Sequence, residues 1–205
     1  MELVKITNKH IMNKADCRVP QDLHIHTIFS HLDSAVTEQQ TPELISRIAH
    51  AKVIGISDHF EHFYERFEEY QTNLKQYGFH VGTEVDGSEY TQEAAQLDFE
   101  YYIYHCRDYR SEYRGIEKLL ATGKPVIIAH PMVLETNLKK VPPECYIEIN
   151  NRYVWKNDWR KRLAPFVGRF HFVIDSDAHQ PNWLNQNVAR YVARELDVEE
   201  SLLFE

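Results

Sequence analysis

Eight side chains stand out by chemical type and by where they fall. They are His24 and His26 in DLHIHT, His59 in ISDHF, Glu84 in GTE, His105 in YIYHC, His130 in AHP, and Asp177 with His179 in DSDAH. Each offers an imidazole nitrogen or a carboxylate oxygen. A histidine met singly is more often a surface or satisfied core residue than a ligand, and His10, His50, His62, His80 and His171 are read that way. A cluster is different: imidazoles brought together repel when protonated and cost desolvation when buried, and a bound cation removes both penalties. Imidazole with carboxylate and no thiolate suits borderline first-row ions such as zinc, manganese or iron. The donors outnumber what one tetrahedral ion needs. Two or three divalent transition-metal ions are therefore expected, bridged by Glu84 because a carboxylate has two oxygens to share.

Strands must bring these donors together. Short β-rich runs at 19–25, 53–57, 79–84, 98–104, 125–129, 145–149 and 170–175 alternate with polar or helical-period segments. Thr41 as N-cap, Pro42 at the first helical position and Glu43 behind it open a helix in TPELISRIAHA, and further helical patterns follow at about 60–77, 110–122, 155–164 and 185–196. Strands alternating with helices, several of them continuously apolar, predict a parallel sheet covered on its faces. Seven such units predict an α/β fold closed into a TIM-barrel-like β/α barrel. No glycine-rich phosphate loop follows any strand, which counts against the open doubly wound alternative. The donors then sit at the C-terminal ends of strands, the end at which such barrels build their sites. Side chains at i and i+2 of a strand share a face, so His24 and His26 are expected to point together into the mouth.

Composition sets the frame. The chain has 205 residues, 43% of them hydrophobic, with no Pro/Gly/Ser-rich linker, so a single domain over 1–205 is expected, with 1–18 preceding the first barrel strand. A formal charge of −8 repels polyanions and makes long nucleic acid a poor partner, unless a local basic patch overrides it. No signal-like or membrane-length apolar run occurs, and Cys17, Cys106 and Cys145 form no CxxC pair, so a cytoplasmic protein with reduced thiols and no membrane contact is expected. Oligomeric state is not encoded in any pattern here.

The ordered set DLHIHT, ISDHF, GTE, AHP and DSDAH, spread over residues 22–179, resembles the motifs of the PHP superfamily, named for polymerase and histidinol phosphatase. The resemblance implies a distorted seven-stranded (β/α)7 barrel with a trinuclear metal site that hydrolyses phosphoesters. It implies that His24, His26, Glu84 and Asp177 hold one ion, and that His59, His105, His130, His179 and a residue just after the first motif complete the others. That residue is most simply His31, with Asp33 as the alternative. Where many members carry glycine before the serine of the last motif, this chain carries Asp175, another carboxylate expected in the mouth as support for the ligands or as a proton donor.

Ions a few ångströms apart would acidify a bridging water and polarise a phosphoryl group for in-line attack, so no protein nucleophile is needed. Arg107 and Arg152 are the candidate clamps for a small phosphorylated substrate. Asp58 is expected to orient a metal-binding imidazole rather than to bind metal itself. Asn150 and Asn151 could be structural or reach the substrate, and Tyr153 beside Arg152 could stack on a base or sugar. The acidic balance favours a monoester of a small metabolite or nucleotide. A nuclease or phosphodiesterase acting on short oligonucleotides and a metal-holding regulatory module without catalysis are the alternatives. An amidohydrolase-like site would want a lysine ending a barrel strand, and no candidate strand here ends in one.

Overall fold

The computed structural model describes residues 17–204, so most of the 1–18 segment, and His10 with it, lies outside the described residues. Among the described residues seven strands are formed: β1 (Val19–Asp22), β2 (Ala51–Ile56), β3 (His80–Asp86), β4 (Tyr101–His105), β5 (Val126–Ile128), β6 (Tyr146–Asn150) and β7 (His171–Asp175). They lie in chain order, each parallel to the next. The helices are α1 (Pro42–Ile48), α2 (Phe60–Phe63), α3 (Phe67–Lys75), α4 (Thr91–Ala94), α5 (Arg110–Leu120), α6 (Trp159–Leu163) and α7 (Asn187–Glu195). This is the expected TIM-barrel-like α/β fold. Thr41 caps α1 as its sequence predicts, its side chain accepting from the Leu44 N–H. The helix expected over 60–77 is broken at Tyr64–Arg66. The break accompanies close aromatic packing, in which the Tyr70 ring stacks on Phe63 at 3.8 Å and the Tyr70 hydroxyl lies 3.1 Å from the Gly82 carbonyl oxygen. Among the described residues no helix is long and apolar enough to cross a membrane.

The barrel nearly closes between β7 and β1, and the seam is not a regular ladder. Ile25 bridges Ala178, and the His26 N–H donates to the Ala178 carbonyl at 2.9 Å. Two carboxylates replace backbone carbonyls: Asp175 Oδ1 accepts from the Leu23 N–H at 2.7 Å, and Asp22 Oδ1 accepts from the Ser176 N–H at 2.9 Å. Buried backbone donors need partners, and side-chain oxygens reach where the diverging strands' carbonyls do not. Asp175 is thus part of the closure rather than a carboxylate free in the mouth. Burial, with Glu148 and Asp22 nearby, pushes its carboxyl well above the usual range.

The interior is filled by Leu23, Tyr101, Ile103, Ile127, Ala129 and Val173. Tyr101 spans the barrel and donates its hydroxyl to the Leu23 carbonyl at 2.6 Å, and a Cβ on Gly55 or Gly82 would overlap its ring. The C-terminal tail plugs the end where the strands begin. Leu203 N–H donates to Gln21 Oε1 at 3.0 Å, and the Phe204 ring stacks on His80 at 3.9 Å. A filled core and a plugged base leave the C-terminal ends of the strands for chemistry.

Candidate metal centre

Ordinary strand alternation would not bring all the donors inward. Leu23 belongs to the inner cluster, yet His24, its neighbour, turns inward as well, because β1 ends at Asp22 and the chain slips phase before meeting Ala178. From there the two-residue spacing works as expected, with His24 Nε2 and His26 Nε2 3.1 Å apart. Along β5 and just past its end the inner residues are Ile127 and Ala129, so His130 would face outward in a continued strand. A positive φ of 23° at His130 swings it into the mouth, and Asp177 adopts φ 54°. Left-handed backbone at non-glycine residues costs roughly 1–3 kcal/mol each and persists where the surroundings over-determine it.

Glu84 is the centre of the arrangement. Its Oε1 lies 2.5 Å from His105 Nε2, 3.1 Å from His24 Nε2 and 3.6 Å from His130 Nε2. Its Oε2 lies 3.0 Å from His59 Nδ1 and 3.4 Å from His26 Nε2. One carboxylate therefore faces two sets of imidazoles with different oxygens. Asp177 Oδ1 is 3.2 Å from His179 Nδ1, 3.7 Å from His26 Nε2 and 3.8 Å from His24 Nε2. Among the described residues the donor atoms form four overlapping triads: His26–His59–His179, His24–His26–Glu84, His24–His130–Asp177 and Glu84–His105–His130. These buried groups can hold a metal ion.

The fit to a cation rests on unsatisfied atoms. Glu84 Oε1, despite its neighbours, has no hydrogen bond of acceptable geometry, and neither do His59 Nδ1 and His130 Nδ1. Of these, Glu84 Oε1 and His59 Nδ1 face the shared space of the cluster, where a cation can take the place of the protons the imidazoles hold. Cys106 and Cys145 are buried elsewhere, so the donor set is nitrogen and oxygen throughout, as zinc, manganese or iron would take.

Electrostatics alternate around the cluster. Burial opposes protonation of His24, but Glu148, Asp177 and Glu84 outweigh it and hold the imidazole well above its ordinary value. Burial likewise loses at His59, raised to about 11 by Glu84 and Asp33, and at His105, raised to about 9 by Glu84 and Asp86. His26 is pushed well below by burial and by His179 and His59. Burial would raise Glu84, yet His105, His24 and His59 hold it well below the carboxylate range.

Of the two candidates after the first motif, Asp33 is brought to the other donors and His31 is not. Asp33 Oδ2 lies 3.0 Å from His179 Nε2 and 3.3 Å from His59 Nε2, and hydrogen bonds from those two imidazoles depress its carboxyl strongly. His31 is exposed, its Nδ1 3.3 Å from the Phe29 carbonyl. The turn that follows the Ile28–Ser30 3₁₀ helix carries Asp33 back over the mouth and leaves His31 on the outside.

Partners behind the donors fix their orientation. Glu148 Oε1 is 2.7 Å from His24 Nδ1, and its Oε2 accepts from the His130 N–H at 2.6 Å. Asn150 Nδ2 donates to Asp177 Oδ2 at 3.1 Å. Asp58 acts through the loop: it accepts from the Thr27 N–H and from the Thr27 and Ser30 hydroxyls, and Ser30 Oγ lies 3.3 Å from His26 Nδ1. Asn151 is structural, its Oδ1 accepting from Val188 and Ala189 N–H groups at the start of α7. Sequence reasoning missed Glu148. Its signal was a charged residue inside the apolar strand CYIEI.

The two arginines part company. Arg152 Nη1 lies 3.1 Å from His179 Nε2 and 3.4 Å from Asp177 Oδ1, at the edge of the donors. Arg107 is held away from them by Asp86, at 2.7 Å, and Asp86 also lies 3.2 Å from His105 Nδ1. Tyr153 meets His130 edge-on at 5.2 Å and lies under the Arg152 guanidinium.

No protein-family model matches the chain, and no curated protein matches it. Among solved structures it is similar to a truncated form of 3-deoxy-D-arabino-heptulosonate 7-phosphate synthase from Thermotoga maritima, at 13% identity over 93% of each chain, with a TM-score of 0.41.

Proposed function

We propose that this chain is a metal-dependent hydrolase of phosphoric esters, acting on a phosphomonoester of a small metabolite or nucleotide. The observation that carries the reading is Glu84, whose two oxygens face separate imidazole sets, the arrangement a carboxylate shared between ions requires. The ordered motifs that resemble the PHP superfamily support the same reaction class. Two or three divalent ions bound by His24, His26, Asp33, His59, Glu84, His105, His130, Asp177 and His179 would supply Lewis acidity and an activated water.

The chain's own residues do the rest. Glu148 holds the His24 ring so that Nε2 faces the donors. Arg152 presents its guanidinium beside Asp177 and His179, where it can meet a non-bridging phosphoryl oxygen with a charge-assisted hydrogen bond. The buried, unpaired Cys106 and Cys145 suit a reducing, cytoplasmic setting.

The test is a turnover panel of phosphomonoesters, phosphodiesters and long single strands, using protein loaded with zinc, manganese or iron. Phosphate release from small monoesters, abolished by chelation and restored by metal, is expected, with poor cleavage of long strands. A preparation carrying two or more ions per chain that turns over no phosphoester would sink the reading.

A further inference from the structure

A cavity of about 430 Å3 opens beside the donor cluster, walled by Arg152, Tyr153, Trp155, Lys156, Ser176 and Trp183. Its size falls within the ~300–1,000 Å3 of small-molecule sites. We propose that it is a subsite for the planar ring of a nucleotide whose phosphoester lies at the donors. This rests on the phosphoesterase reading and selects nucleotides from among its substrates.

Location comes first. Arg152 belongs to both places, lining the cavity while its Nη1 reaches Asp177 and His179. Ser176 precedes Asp177 in the chain, and the Trp183 ring lies 6.1 Å from that of His179. A substrate with its ester at the donors therefore has this cavity as the neighbouring space for its organic group.

Wall chemistry selects that group. Three aromatic rings line the cavity, with two cations over their faces: Arg152 at 4.8 Å from Tyr153 and 5.1 Å from Trp183, Lys156 at 4.9 Å from Tyr153 and 5.4 Å from Trp155. Trp155 is 61% exposed, yet its indole N–H is tied to the Arg152 carbonyl at 3.0 Å. A largely exposed indole held by its edge, with the Lys156 ammonium over one face, is a stacking platform on the other, and every nucleobase offers a matching π-face. Charge agrees. Arg152 and Lys156 line the cavity in a chain of net charge −8. An aliphatic sugar phosphate would use Arg152 and leave the rings idle.

The test compares adenosine 5'-monophosphate with ribose 5-phosphate, which differ by the ring. On chelated protein, where turnover does not complicate binding, tryptophan fluorescence should report the nucleotide binding on the order of tenfold more tightly than the sugar phosphate, the scale of base–aromatic stacking. On metal-loaded protein the same preference should appear in kcat/KM. Trp155→Ala should collapse it in both measurements, whereas Tyr191→Ala, at an exposed tyrosine on α7, should leave it intact. Ring-dependent binding without hydrolysis supports the subsite while removing the phosphoesterase reading. Turnover of both compounds with equal affinity, or a preference that survives Trp155→Ala, overturns the subsite and leaves the phosphoesterase reading standing.

Discussion

Glu148 Oε1 lies 2.7 Å from Nδ1 of His24, with both side chains fully buried. The contact takes up Nδ1 and leaves Nε2, facing Glu84, as the nitrogen that metal would bind once it displaces the proton there. A carboxylate behind an imidazole raises its basicity as a ligand and locks its ring, and loss of such a partner costs about 10–100-fold in metal affinity. Glu148→Gln keeps the shape and one acceptor but not the charge. It should weaken metal binding by about that factor while far-UV circular dichroism stays unchanged. Unaltered affinity in a chelator competition would mean that the pair is structural only.

Asp33 and His31 separate geometry from spacing. Asp33→Asn should lower the number of ions retained per chain and reduce turnover, because the carboxylate facing His59 and His179 loses its charge. His31→Ala should retain the full complement. Elemental analysis of the two variants decides the matter, and the opposite pattern would restore His31 to the site.

Arg152→Ala should remove a charge-assisted contact worth on the order of 1.5–3 kcal/mol, or roughly ten- to a hundredfold in kcat/KM, with metal content unchanged. Arg107→Ala should do less, because Arg107 is 40% exposed and engaged by Asp86. Equal losses for the two variants would place Arg107 at the substrate after all.

The raised imidazoles make a signed pH prediction. His59, at about 11, and His105, at about 9, lie above the ordinary ~6.5. In metal-free protein the stability they contribute is fully present below about pH 6.5 and is lost as pH rises toward 9 and beyond. Metal must displace those same protons, so its affinity should rise over the same range. Calorimetric titration in buffers of different ionisation enthalpy should detect protons released on metal binding near neutral pH. No release, with an affinity flat in pH, would contradict this charge assignment.

Much of this protein was readable from its residues alone. Continuous apolar runs of strand length separated by helical-period segments can satisfy their backbone and bury both faces only as a covered parallel sheet. That reasoning reached seven parallel strands, the β/α barrel and the end at which the donors gather. Donor types were also in the sequence, because imidazole and carboxylate at strand ends have few other uses.

The tertiary structure decided what periodicity cannot carry. Asp33 lies among the donors and His31 outside them because an aperiodic turn, and no i+2 rule, sets which side chain folds back over the mouth. The phase slip between Leu23 and His24 and the positive φ at His130 depend on how a strand ends. Asp175 was drawn into closing the seam by a backbone N–H that lies 152 residues away in the chain. Glu148 met His24 across 124 residues. Such contacts arise from packing between distant elements, and no local pattern in either segment specifies the partner.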